Sequence, residues 1–181
     1  MMNKRRSFIC GIKSTKLTNS EYIFLKKYKP WGIILFSRNI NSIKQTRKLI
    51  NSIKKIFNDS NYPILVDEEG GRVTRMSRII DNSKFPASYF GKIYKNDKKK
   101  FNKMLNLYID RVSKVLNITG INFNTVPVLD IFRKNSHNII GDRSYSNNKM
   151  IVSKIGGLVI KKFKKKQNKY NNKTYSRTWI S

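Results

Sequence analysis

The chain has 181 residues, enough for one domain with a real hydrophobic core. Lys and Arg number 39 against 10 Asp and Glu, a formal net charge of +29, with 39% hydrophobic residues. A single cysteine excludes an intrachain disulfide, and no apolar stretch reaches membrane-spanning length.

A charge this large invites a polyanion partner. The basic residues are mostly lysine, however, and are spread along the whole chain rather than gathered in one stripe. Asn, Ile, Tyr and Phe are plentiful too, and all of these have A/T-rich codons. The composition is therefore ascribed to codon bias. No specific nucleic-acid partner is expected, although weak nonspecific binding at low salt follows from the charge alone. The basic opening Met1 to Arg6 leads into an apolar run that ends at Lys13, too short for a signal-peptide core. A cytoplasmic location without a membrane partner is the expectation.

In chain order, Ser7 to Ile12 reads as a strand, with Cys10 as one of its buried residues rather than a nucleophile. Asn19 to Tyr28 follows as a helix capped by Thr18 or Asn19, with Tyr22, Leu25 and Tyr28 on one face and Pro30 as its stop. Trp31 to Phe36 is a continuous apolar run, the mark of a strand covered on both faces. Ser42 can cap the next helix, whose stripe is Ile43, Leu49 or Ile50, Ile53 and Phe57. Tyr62 to Val66 is a third strand, followed by a loop to about Tyr89. Phe101 to Leu116 is a helix with Leu105, Tyr108, Val112 and Val115 at helical spacing. Gly120 to Leu129 reads as a fourth strand and Asp130 to Asn148 as a loop. Met150 to about Lys166 closes the series as a helix with Val152, Ile155, Val159 and Phe163 inward.

Four successive βα units imply a parallel sheet with right-handed crossovers. The first strand is not followed by a GxGxxG fingerprint. Polar residues instead gather after the strand ends, at Ser37-Arg38-Asn39, at Asp67 to Arg75, and from Asp130 to Arg143. That is the pattern at the active face of a (β/α)8 barrel, which typically needs about 250 residues. The fold expected is α/β, the N-terminal half of a TIM barrel, truncated after about four βα units.

The densest polar cluster is Val66-Asp67-Glu68-Glu69-Gly70-Gly71-Arg72-Val73-Thr74-Arg75. Carboxylates can bind sugar hydroxyls or protonate a leaving group, glycines admit close backbone, and arginine offers a planar fork of donors. On residue type alone, Asp67 and Arg75 read equally well as a ligand grip or as a salt bridge pinning the loop. Glu68, Glu69 and Arg72 fit ion pairs that buttress the loop, and Gly70-Gly71 a tight turn. Asp130 ends a strand and fits a site or a structural role. His137, the single histidine, lies in the polar stretch Arg133 to Asn138 and reads as a solvated loop residue. No metal ligands and no cofactor are expected.

Three segments resemble the barrel domain of family 3 glycoside hydrolases, in the bacterial β-N-acetylglucosaminidase branch of cell-wall recycling. They are Gly32 to Asn39, Val66 to Arg75, and Gly120 to Asp130 leading into Ile140-Gly141-Asp142-Arg143-Ser144-Tyr145. Their order and spacing agree with that family over about Gly11 to Lys166. The resemblance implies hydrolysis of terminal β-linked N-acetylglucosamine from muropeptide fragments, with retention and without a metal or organic cofactor. It implies that Asp67, Arg75 and Arg143 bind the N-acetylglucosamine ring.

Retention requires a nucleophile and an acid/base about 5–5.5 Å apart. The resemblance places a Lys-His-x-Pro-Gly-His-Gly segment, an Asp-x-His dyad and a later aspartate beyond the last helix. None occurs in this sequence, so no catalytic residue is assigned and the chain alone is expected to be inactive. Permitted codons for Tyr170 to Ser181 can be written so that the neighbouring frame reads Lys-His-Ile-Pro-Gly-His-Gly. A frameshift in the lysine run Lys164 to Lys166 is therefore expected, dividing the chain into an incomplete barrel domain, 1–166, and an aberrant tail, 167–181. Two other readings are a sugar-binding remnant without catalysis and a basic nucleic-acid-binding protein.

Overall fold

The computed structural model describes residues 5–133 and 139–176, with side chains described to Lys166. His137 and most of its polar stretch lie outside the described residues. By contacts the chain forms two compact units: the chain to Glu68 with Thr74–Asp81 and Ile118–Thr125, and Glu69–Val73 with Asn82–Asn117 and the chain from Val126.

The first unit holds the sheet. Strand β1 (Arg6–Gly11) leads to helix α1 (Asn19–Tyr28), opened by a capping box. Thr18 Oγ1 accepts from the Glu21 amide, and the Glu21 carboxylate takes the Thr18 amide in return. Lys29 ends the helix in the left-handed region, and β2 (Pro30–Leu35) starts at once. Ser42 caps α2 (Ile43–Phe57) through the Gln45 amide, and Asn58 closes it with φ +47°, which asparagine tolerates. Leu49, Ile50, Ile53 and Phe57 are buried along one face, each contributing about 1.5–3 kcal/mol of transfer free energy. Strand β3 (Ile64–Val66) is wholly buried.

All pairings are parallel, in the order β1-β2-β3-β4, where β4 is Phe123–Asn124. The register aligns the carboxyl ends, Leu35 opposite Val66 and Val66 opposite Asn124. The residues that follow each strand thus emerge on one edge of the sheet. Among the described residues β1 and β4 each have one neighbour, as expected for a sheet that has not closed on itself.

The second unit is helical, built from α3 (Ala87–Asn96), most of α4 (Lys98–Thr119) and α5 (Lys149–Ser176). Leu105, Tyr108, Val112 and Val115 of α4 are buried, as are Val152, Ile155 and Val159 of α5. Phe163 is only half-buried. Phe85, Tyr89, Phe90 and Tyr108 form an aromatic cluster with ring centroids 5.3–6.4 Å apart.

Several expectations change. The fourth strand is only β4 (Phe123–Asn124), not Gly120 to Leu129. Its ladder ends when the Thr125 amide reaches Val66 O at 3.1 Å, and Pro127 has no N–H to extend it. The stretch read as loop to Tyr89 already contains the start of α3, whose apolar contacts are aromatic clusters rather than a periodic stripe. On α1 only Leu25 is buried and Tyr22 is exposed; α2 buries Thr46 in place of Ile43. Cys10 is half-buried rather than buried, because β1 is an edge strand; burial, with the Glu21 charge, raises its thiol pKa. The last helix, read to about Lys166, continues to Ser176.

Candidate functional site

In the first unit, Asp67 is the residue that follows β3 at the carboxyl edge of the sheet. Its Oδ1 accepts from Thr125 Oγ1 at 2.5 Å, from the residue that follows β4. Its Oδ2 lies 3.9 Å from Arg75 Nη2. Both side chains keep about a quarter of their surface in solvent, 25% for Asp67 and 29% for Arg75. The Arg75 guanidinium lies over the Phe36 ring, 5.7 Å from its centroid, and Arg38 lies over the same ring at 4.7 Å. Arg75 Nε is buried without a hydrogen-bond acceptor among the described residues. Such a donor costs about 1–3 kcal/mol.

Glu68 is fully buried. Its Oε2 accepts the Arg75 and Met76 amides at 2.8 and 3.0 Å. Its own amide donates to Asn124 Oδ1, and its carbonyl accepts from Asn124 Nδ2. Sequence reasoning did not identify Asn124 or Thr125 as site residues. Both lie in the middle of the stretch Gly120 to Leu129 that reads as a strand, where nothing in the sequence singles them out.

In the second unit, the Glu69 carboxylate meets the Arg143 guanidinium in a fork, Nε to Oε2 and Nη2 to Oε1, both 2.8 Å. Arg72 pairs with Asp142 at 3.1 Å, and both arginines donate to Ile139 O. Gly70 and Gly71 have φ of +83° and +62°, and an added Cβ on Gly70 would meet Phe85 O at 2.3 Å. The tight turn read from this pair is present, and only glycine fits it. Arg143, Glu69 and Tyr145 line a cavity of about 10 Å³, room for a single water. Burial and the Glu69 charge raise the Tyr145 pKa well above the usual phenol value. Asp130 is exposed, and its carbonyl, not its carboxylate, accepts from Ser144 Oγ.

The three sugar-binding candidates thus divide: Asp67 and Arg75 face each other in one unit, and Arg143 is held by Glu69 in the other. Among the described residues no three His, Cys, Asp or Glu are grouped to hold a metal, and no helix is long and apolar enough to cross a membrane.

Parallel βα units with polar side chains at the carboxyl ends of the strands define the amino-terminal part of a TIM-type barrel. The chain belongs to the family described as "Glycosyl hydrolase family 3 N terminal domain", which matches residues 9–174. It is 29% identical over 169 residues to beta-hexosaminidase A of Pseudoalteromonas piscicida, covering 89% of this chain and 27% of that protein. With the beta-hexosaminidase of Neisseria meningitidis serogroup B the identity is 33% over 153 residues, 83% of this chain and 41% of the other. The crystal structure of NagZ from Neisseria gonorrhoeae, in complex with N-trifluoroacetyl-D-glucosamine, superposes with a TM-score of 0.77 at 28% identity. That match covers 90% of this chain and 48% of the other. The chain therefore spans between about a quarter and a half of the length of these relatives.

Proposed function

We propose that this chain carries sugar-gripping residues of a β-N-acetylhexosaminidase that acts on terminal β-linked N-acetylglucosamine of cytoplasmic peptidoglycan fragments. The observation that carries the reading is the Asp67–Arg75 pair at the carboxyl edge of the sheet. Thr125 occupies Asp67 Oδ1, which leaves Oδ2 turned toward Arg75 as an acceptor for a ring hydroxyl. Arg75 supplies planar donors beside it. Arg143 is proposed by itself, within the second unit, as a sugar-binding residue whose guanidinium is held by Glu69.

Binding is separate from bond cleavage. Retaining hydrolysis needs two carboxyl groups about 5–5.5 Å apart across the scissile bond. Asp67 is engaged with Thr125 and Arg75, Glu68 is buried on backbone amides, and Glu69 is forked to Arg143. None is deployed as a reacting pair. In this reading the acid/base belongs to an Asp-x-His dyad and the nucleophile is a later aspartate; this sequence has neither segment, and a frameshift near Lys164 to Lys166 is the reason proposed. The 181-residue chain alone is inactive and binds the sugar.

The test is titration of the full chain with N-acetylglucosamine, alongside a chromogenic N-acetylglucosaminide. Saturable binding lost in Asp67→Ala, without turnover, is the expected result. Turnover by mass-verified chain overturns the inactivity. Tight, steeply salt-dependent DNA binding indifferent to Asp67→Ala would favour a nucleic-acid role instead. The gene sequence across the lysine run tests the frameshift: absence of Lys-His and Pro-Gly-His codons in the neighbouring frame sinks it.

A further inference from the structure

We propose that Glu68, which does not itself contact sugar, positions Arg75 against Asp67. The proposal rests on the sugar-binding reading of that pair. Between Glu68 and Thr74 the chain leaves the first unit and returns to it, so some element must fix where the return begins. Glu68 does so from both sides. On its backbone side, the amide and carbonyl are held by the Asn124 side chain at 3.0 and 3.2 Å. Asn124 is the register partner of Val66, so Glu68 is referenced to the sheet itself. On its side-chain side, Oε2 accepts the amides of Arg75 and Met76.

These two bonds set the origin of the Arg75 side chain. Met76, fully buried, locks the residue after it. From that origin the guanidinium reaches over Phe36 and toward Asp67 Oδ2. Asp67 is set on the same frame, because the neighbour of Asn124, Thr125, holds its Oδ1. Asp67 and Arg75 are thus positioned by adjacent residues at one strand end, and Glu68 is the link that carries this frame to the arginine. A carboxylate suits this role because one oxygen can take two amides, and charge-assisted bonds are roughly twice as strong as neutral ones. With no exposed surface, Glu68 has no access to ligand.

The experiment uses the ¹⁵N-labelled full chain and N-acetylglucosamine as probe. The Arg75 Nε–Hε resonance, assigned by its loss in Arg75→Lys, reports where the guanidinium sits. In Glu68→Ala this resonance should shift and affinity should fall about tenfold or more, whereas Glu68→Gln, which keeps an acceptor, should hold affinity to within about threefold. A folded Glu68→Ala protein with unchanged resonance and affinity overturns the proposal, and so does Glu68→Gln behaving like Glu68→Ala. Should Glu68→Ala fail to fold, hydrogen exchange on the wild-type chain decides. Protected Arg75 and Met76 amides support the clamp, and exchange at the free-peptide rate overturns it. A wild-type chain that fails to bind N-acetylglucosamine sinks the sugar reading, while the resonance and exchange still report on the clamp.

Discussion

Arg143 and Glu69 meet through two parallel hydrogen bonds of 2.8 Å across 74 residues of sequence, with side-chain exposures of 24% and 11%. Arg143→Ala leaves a nearly buried carboxylate without its fork. Discounted for partial solvent screening, the expected loss is about 1–3 kcal/mol. Arg143→Lys keeps the charge but not the planar fork, and should recover less than half of it. Urea unfolding of the three proteins measures this, and equal midpoints would refute a stabilising pair.

Thr125→Val keeps the shape of the side chain and removes the donor to Asp67 Oδ1. A hydrogen bond to a charged group contributes about 1.5–3 kcal/mol, and solvent access puts this one at the lower end, roughly tenfold in affinity for N-acetylglucosamine. The titration that tests Asp67 also tests Thr125. Unimpaired binding by a folded valine variant would remove Thr125 from the site.

Alkaline pH should destabilise the protein through two tyrosines. Burial raises the pKa of Tyr62, whose hydroxyl donates to Pro30 O at 2.7 Å, and burial with the Glu69 charge raises that of Tyr145. In each case the folded-state pKa lies above the unfolded value. The native state therefore keeps a proton that the unfolded chain loses from about pH 10 upward. Stability from these groups is fully present below that pH. It declines above it by up to about 1.4 kcal/mol per pH unit per tyrosine, until the folded pKa is reached. Denaturant midpoints between about pH 8 and about pH 11.5 should show the decline. Tyr145→Phe should flatten part of it; an unchanged slope would contradict the assignment.

Gly91 lies within α3 where the backbone of Tyr145 crosses it. A Cβ there would stand 1.6 Å from Tyr145 O, an approach that only backbone displacement can relieve. Gly91→Ala should cost about 3 kcal/mol or more despite the better helix propensity of alanine. Gly157, with nothing near its Cβ position, is the control: Gly157→Ala should be neutral or stabilising in thermal unfolding.

Strand cores such as Trp31 to Phe36 and the α2 and α4 stripes were legible because burial writes apolar residues at the spacing of the element. Edge and partner effects were not. Cys10 and Ser7 to Ile12 have the composition of a covered strand, yet among the described residues β1 has one neighbour and stays half-exposed. The apolar and polar residues from Gly120 to Leu129 read as one strand, yet Pro127 and the departure of the chain at Val126 leave only Phe123–Asn124. The loop before Tyr89 hid α3 because its contacts are aromatic and come from residues distant in sequence.

The order of βα units, the family, and the concentration of charged side chains after β3 are determined by the sequence alone, since apolar runs and the motif Val66 to Arg75 are local. What each of the three adjacent carboxylates does is decided only by the tertiary structure. Asp67 serves Thr125 and Arg75, Glu68 takes backbone amides, and Glu69 forks to Arg143. The chemistry of the three side chains is nearly identical. Successive residues at a strand end point in different directions, and two of the side chains their carboxylates meet there, Thr125 and Arg143, are more than fifty residues away.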